Sequence, residues 1–363
     1  MKPGGAAQRR ETRRIMVGGV AVGGGAPVSV QTMTKTDTRN VRATLAQIRE
    51  IELEGCDIVR VAVPDADAAA ALRAIRAGTK MALVADIHFD HRLALQALDA
   101  GVDGLRINPG NIGSTSRVRE IVKAASGRRV PIRIGVNSGS LEKDIAARYG
   151  GPVPEALVQS ALRHVRILED AGYREIKISV KASDVRATIA AYRMLADMVE
   201  YPLHLGVTEA GTLLAGSVRS AAALGALLSD GIGDTIRISL TAPPPLEVRA
   251  GLELLRAFGL RKPGASVISC PTCGRTEVDV AGLAERVERE LEKHYRENPE
   301  APRPVVAVMG CQVNGPGEAR HADIAVAGGR GKFALYVRGR MRRVVPENAA
   351  LEAIVEQVRM WRA

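Results

Sequence analysis

The stretch Asp57–Asn108, DIVRVAVPDADAAAALRAIRAGTKMALVADIHFDHRLALQALDAGVDGLRIN, decides the fold. Its short β-type runs Asp57–Val63, Met81–Asp86 and Asp103–Asn108 are separated by Asp65–Ala77 and Arg92–Asp99, which carry helical periodicity and good helix formers. Strand alternating with helix implies parallel pairing.

The same unit recurs on both sides. Pro27–Gln31 precedes it, and Val130–Val136, Glu175–Val180, Pro202–Thr208 and Asp234–Leu240 follow, with helical Ala43–Glu54, Pro154–Ala171 and Val185–Val199 between them. Eight strands in about 260 residues match a (β/α)8 TIM-type barrel. A doubly wound open sheet is the competing α/β arrangement. However, no Gly-x-Gly-x-x-Gly follows the first strand, and the glycine-rich Val17–Gly25 precedes it, reading as a turn or short hairpin that closes the barrel floor.

The barrel ends with the proline-rich Thr241–Pro245, a helix around Leu246–Phe258 and a linker at Arg261–Gly264. The expected division is a substrate-binding barrel over residues 1–262 and a small α+β domain over 263–363. The latter reads as a strand ending at Cys270, a helix from about Asp279 to Tyr295, a strand at Val305–Met309, a hairpin pair near Ile324–Val326 and Phe333–Val345, and a helix from Pro346 to Trp361.

With 363 residues and 46% hydrophobic content, both domains have enough apolar residues for a core. No apolar run approaches the roughly 20 residues that cross a bilayer, and the N-terminus lacks a secretory apolar segment. The arginine-rich Gln8–Arg14 is short and contains Glu11, so the expected location is cytoplasmic. Four cysteines are too few for a disulfide framework in so long a chain, which leaves metal or redox chemistry. A net charge of +11 favours an anionic partner: nucleic acid, an acidic protein or a phosphorylated metabolite.

Five strands place a basic residue between two aliphatic ones: Val59-Arg60-Val61, Leu105-Arg106-Ile107, Ile132-Arg133-Ile134, Ile176-Lys177-Ile178 and Ile236-Arg237-Ile238. Side chains alternate across a strand, so in a barrel the aliphatic face packs on the helices and the basic face points inward. Buried unpaired charge costs several kcal/mol, so five such cations call for an anion, and guanidinium forks suit phosphate oxygens. The alternative is an antiparallel sheet wetting a polar face, or pairing with Asp86 and Glu209, which would leave an excess of cations. Gln31, Asp86, His88, Asn108, Asn137, Ser179, Lys181, His204, Glu209 and Ser239 crowd the strand ends, where barrel active sites lie. Glu209, a carboxylate closing an apolar run among cations, suggests a proton donor or hydroxyl ligand.

In the small domain, Cys270-Pro-Thr-Cys273 follows one strand and Cys311 another. Three cysteines and one other ligand suit a [4Fe–4S] cluster with a distinctive iron, Glu318 being the nearest carboxylate in the glycine-rich loop. A zinc site completed by His294 or His321, or a Cys270–Cys273 redox disulfide, are the alternatives, and Cys56 reads as a small buried apolar residue.

Longer segments carry a family resemblance: Val28-Ser-Val-Gln-Thr-Met-Thr34, Ala85-Asp-Ile-His-Phe89, Leu105-Arg-Ile-Asn-Pro-Gly-Asn-Ile-Gly113, His204-Leu-Gly-Val-Thr-Glu-Ala-Gly211, Ser269-Cys-Pro-Thr-Cys-Gly-Arg275 and Gly310-Cys-Gln-Val-Asn-Gly-Pro-Gly-Glu-Ala319. Over nearly its whole length the chain resembles the 4-hydroxy-3-methylbut-2-enyl diphosphate synthases of the methylerythritol phosphate route, in their bacterial two-domain form. The resemblance implies a barrel plus a cluster domain, with a [4Fe–4S] cluster held by Cys270, Cys273, Cys311 and Glu318. It implies reductive ring opening and dehydration of 2-C-methyl-D-erythritol 2,4-cyclodiphosphate, electrons from flavodoxin or ferredoxin, and a head-to-tail homodimer. Glu209 would donate a proton to the departing oxygen, and Glu318 would yield its ligand position to substrate. Substrate would be bound by Arg60, Asp86, His88, Arg106, Asn108, Arg133, Asn137, Lys177, Ser179, Lys181, His204, Arg237 and Ser239. The rivals are a zinc-dependent lyase in the same barrel and a basic nucleic-acid-binding protein. Aromatic content of 3% and cations placed within strands speak against the second.

Overall fold

The computed structural model describes residues 8–108, 112, 114–262, 264–311, 317 and 322–362. The chain divides into two compact units, Met1–Arg261 and Lys262–Ala363.

The first unit begins with a hairpin of β1 (Ile15–Val17) and β2 (Val20–Val22). Ile15, Val17 and Val22 pack on Ile58, Ala82 and Val84, near the starts of two barrel strands, and so plug the barrel floor. Eight strands follow: β3 (Ser29–Met33), β4 (Ile58–Val63), β5 (Ala82–Ile87), β6 (Gly104–Ile107), β7 (Ile132–Asn137), β8 (Ile176–Lys181), β9 (His204–Leu205) and β10 (Thr235–Ile236). β3 to β8 pair in sequence, β10 lies between β9 and β3, and a parallel bridge from Ile178 to Leu203 closes the ring. The fold is a (β/α)8 barrel.

Helices start where capping side chains stop the strand-to-helix loops. Asn40 accepts from the Ala43 amide ahead of α1 (Val41–Leu53), and Asp65 from Ala68 ahead of α2 (Ala66–Ala77). Asp90 caps α3 (His91–Asp99), and Asp184 caps α7 (Val185–Met198). Between these run α4 (Thr115–Ser126), α5 (Lys143–Tyr149) and α6 (Pro154–Asp170), with α8 (Leu213–Ser229) and α9 (Pro244–Ala257) after them. One face of the strands, including Val59, Val61, Leu105, Ile107, Ile132, Ile134, Ile176 and Ile178, shares a core with helical Leu72, Ile75, Leu98, Ile121, Leu157 and Leu195. The residues between them therefore point into the barrel.

In the second unit, β11 (Ser266–Ser269), β12 (Val305–Met309) and β13 (Ile324–Gly329) are parallel, and β14 (Lys332–Val337) and β15 (Arg340–Pro346) continue the sheet antiparallel. Helices α10 (Val280–Glu297) and α11 (Ala350–Met360) cover one face through Leu283, Val287, Leu291, Ile354 and Val358. The single strand expected over Phe333–Val345 is two strands, turned at Arg338-Gly339 with φ of 51° and 71°. Arg330-Gly331 turns the preceding hairpin the same way, at 49° and 70°. Positive φ at both loop positions is the mirror-image turn that matches strand twist, and glycine at the second makes it affordable. Among the described residues no helix is long and apolar enough to cross a membrane.

Candidate active site

Parallel register sets Asp86 beside Arg106, Arg106 beside Arg133 and Arg133 beside Lys177 around the barrel interior, with Asn137 beside Lys181 nearer the mouth. Arg60, Arg106, Arg133, Lys177 and Lys181 are all buried, at 3–8% exposure, and the Arg237 side chain is 15% exposed. Two carboxylates face these six cations. Asp86 lies 3.6 Å from Arg60 Nε and 3.2 Å from Arg106 Nη1, and Arg106 Nη1 is also 2.6 Å from His88 Nε2. Burial alone would push the Asp86 carboxyl up, but Arg60, His88, Arg106 and Arg133 together hold it far below the carboxylate range.

The other carboxylate is Glu247, from the first turn of α9 and 1% exposed, which sequence reading missed. It accepts from Thr32 Oγ1 at 2.5 Å and the Leu240 amide at 3.0 Å, and lies 3.1 Å from Lys35 Nζ and 3.8 Å from Arg237 Nη2. Among the described residues Arg133, Lys177 and Lys181 have no carboxylate within 4.0 Å. Burial and the neighbouring cations lower their proton affinity, holding Lys177 down to about 7 and Lys181 and Arg133 well below their ordinary values. The His204 ring is fully buried on β9, with both nitrogens unpaired among the described residues, and burial among Arg133, Lys181 and Lys177 keeps it neutral.

Two glycines make room for this charge. A Cβ at Gly135 would stand 2.6 Å from Arg106 Nε, and one at Gly206 would collide with Lys181 Nζ. Both are close-approach positions that periodicity alone does not reveal.

Of the remaining candidates, Asn108 and Ser179 are buried, Asn137 and Ser239 half-buried, and the His88 side chain is 47% exposed. Glu209 lies beyond β9, exposed, at φ 52°. It pairs with no charged group among the described residues, so Asp86 and Glu247 are the interior counter-charges. A non-glycine residue at positive φ is strained backbone of the kind found at functional sites.

In the second unit the Cys270 amide donates to the Val308 carbonyl at 3.0 Å, so Cys270 and Cys311 leave the same end of adjacent parallel strands. The Cys273 amide donates to Thr276 Oγ1 at 3.1 Å, and Thr276 packs so closely on Gly310 that a Cβ there would stand 3.0 Å away. The loop of Cys273 is thereby tied to the residue before Cys311. Cys270, Cys273 and Cys311 are all free of disulfides, which excludes the Cys270–Cys273 bridge in this structure. Among the described residues no three Cys, His, Asp or Glu side chains are close enough together to hold a metal ion. Glu318 and His321 lie outside the described residues. His294 sits in the last turn of α10, whereas Val280 of the first turn touches Gly310, so about 20 Å of helix separates it from the thiols. Thiols at one sheet end, outside any disulfide, fit thiolate-held iron better than a zinc site needing His294.

A family model described as the GcpE TIM-barrel domain matches residues 12–252, and one described as the GcpE protein C-terminal domain matches 266–360. The chain belongs to the GcpE family. This GcpE-family chain is 55% identical over 353 residues to the 4-hydroxy-3-methylbut-2-en-1-yl diphosphate synthase (flavodoxin) of Geobacter sulfurreducens, covering 96% of this chain and 98% of that protein. It is 53% identical over 351 residues to the enzyme of the same name from Clostridium acetobutylicum, covering 97% and 99%. A dihydropteroate synthase from Stenotrophomonas maltophilia matches with a TM-score of 0.51 at 14% identity, over 68% of this chain and 97% of that one. That likeness concerns the barrel fold alone.

Proposed function

We propose that this GcpE-family chain is an iron–sulfur oxidoreductase that reduces 2-C-methyl-D-erythritol 2,4-cyclodiphosphate to 4-hydroxy-3-methylbut-2-enyl diphosphate, in the cytoplasm, on the route to isoprenoid precursors. Two electrons and two protons enter, the ring C–O bond to phosphate breaks, and one hydroxyl leaves as water. The observation that carries the reading is the barrel interior, where six cations face two carboxylates. A cyclic diphosphate supplies the missing negative charge.

Arg60, Arg106, Arg133, Lys177, Lys181 and Arg237 neutralise the diphosphate, and Asn108, Asn137, Ser179 and Ser239 donate hydrogen bonds to its oxygens. Asp86 holds Arg60 and Arg106 in place and orients His88, while neutral His204 offers a ring N–H to the substrate. Glu209, at the exposed end of the His204–Glu209 segment, passes a proton to the departing oxygen. Cys270, Cys273, Cys311 and Glu318 hold a [4Fe–4S] cluster, which supplies electrons one at a time when bound. The net charge of +11 suits an acidic donor such as flavodoxin, the donor in the relatives' name. A head-to-tail homodimer, in which the second unit of one protomer caps the barrel of its partner, brings thiols and cations to one substrate.

The test is anaerobic turnover of the cyclodiphosphate with reduced flavodoxin, the product identified by mass spectrometry. The expected product is the allylic diphosphate, with one oxygen fewer than the substrate. Ring opening without loss of oxygen would exclude the reductive reaction.

A further inference from the structure

Beneath the cation ring, between the floor hairpin and the strands, lies a void of about 10 Å3 lined by Val17, Gln31, Val84, Leu105, Arg133 and Lys177. That is room for one water-sized particle. The polar atoms around it are unsatisfied. Gln31 is 1% exposed, and among the described residues both its amide oxygen and nitrogen lack partners, as does Arg133 Nε. Among the described residues Lys177 Nζ has only a long bond of 3.4 Å, to Thr235 Oγ1. Leaving buried polar groups unpaired costs free energy, so an occupant that satisfies several at once is favoured.

We propose that this void is a monoatomic anion site, occupied by chloride and held by Gln31 Nε2, Arg133 Nε and Lys177 Nζ. Charge decides between an anion and water. Two cations line the void, and neither has a carboxylate within 4.0 Å among the described residues. Asp86 is engaged by Arg60 and Arg106, and Asp234, at the floor, by Arg9. Size excludes phosphate and sulfate. Gln31 supplies two N–H donors, which an anion accepts and a cation would not. Burial and mutual repulsion push Arg133 and Lys177 toward losing protons, and a bound anion reverses that push for both. The ion neutralises the barrel bottom and pins Arg133 by its Nε, leaving its outer guanidinium nitrogens free for a ligand above. The site does not depend on which diphosphate, if any, binds at the mouth.

Crystals grown with sodium bromide in place of chloride test it directly. The expected result is an anomalous peak bounded by Gln31, Arg133 and Lys177, absent in Gln31→Leu. Peaks among Lys181 and Arg237 belong to the mouth and do not count. An ordered water without anomalous signal, or an empty void, overturns the proposal. In solution, the melting temperature should be about 3 °C higher in sodium chloride than in sodium gluconate of equal ionic strength. That increment should fall by half or more in Gln31→Leu, and an undiminished increment would overturn the site even if the variant is less stable overall.

Discussion

In the barrel, charged side chains from six strand segments stand assembled around an interior that needs an anion. In the second unit, three thiols leave one end of a sheet without being gathered into a metal-binding group. The difference follows from where the ligands sit. Arg106, Arg133 and Lys177 ride on hydrogen-bonded strands whose register fixes them, whereas Cys270, Cys273 and Cys311 lie in loop segments beyond the ends of their strands. Strand-borne sites are made by the fold, and loop-borne metal sites are completed by the ion, whose binding energy orders the loops.

Breaking the loop-borne side should have the largest effect. Cys311→Ser should abolish iron retention and lower turnover by at least about 1,000-fold, the size of effect expected when an essential ligand is lost. Substrate affinity, measured by calorimetry, should stay within about threefold if the two regions are built independently. Next comes the proposed proton donor. Glu209→Gln should cut kcat by about 100-fold or more with little change in KM, and a loss confined to KM would make Glu209 a binding group.

On the strand-borne side, Arg133→Met should weaken substrate binding by about 100-fold, about 2.7 kcal/mol. In chloride-free buffer and without substrate the same variant should melt no lower than the parent, because there it removes a buried, unpaired charge. A coupled fall in affinity and stability would mean that Arg133 is structural. Gly206→Ala, which crowds Lys181, should cost affinity about tenfold and leave iron content unchanged.

The last test is a pH dependence, read as stability rather than as affinity or turnover. Burial holds Lys177 to about 7, against ~10.4 in an unfolded chain. Between those values the unfolded state binds more protons, so stability rises with pH across that window. Below pH 7 both states are protonated and the penalty is full. Urea unfolding of the unliganded protein in chloride-free buffer from pH 6.5 to 9.5 should show the rise, and Lys177→Met should flatten it.

The same division explains what could be read from sequence. Residues such as Val59-Arg60-Val61 announce their two faces locally, and the barrel and its cation ring follow from period-two alternation. Glu247 was invisible because its role depends on α9 bringing it against Thr32 and Lys35, more than 200 residues away in sequence. Gly135 and Gly206 were missed because a close approach is a tertiary fact. Arg338-Gly339 did carry a turn signal, hidden inside a run that otherwise reads as one strand. The cysteine spacing suggested a metal site, and among the described residues the three thiols are not gathered into one.

The most direct measurement is calorimetric titration of the cyclodiphosphate into iron-free protein, beside the anaerobically reconstituted form. The expected result is binding by the iron-free protein within about threefold of the reconstituted affinity, because the barrel holds its cations assembled. Binding that appears only after iron is restored would contradict it, and would make the thiol loops part of the diphosphate site.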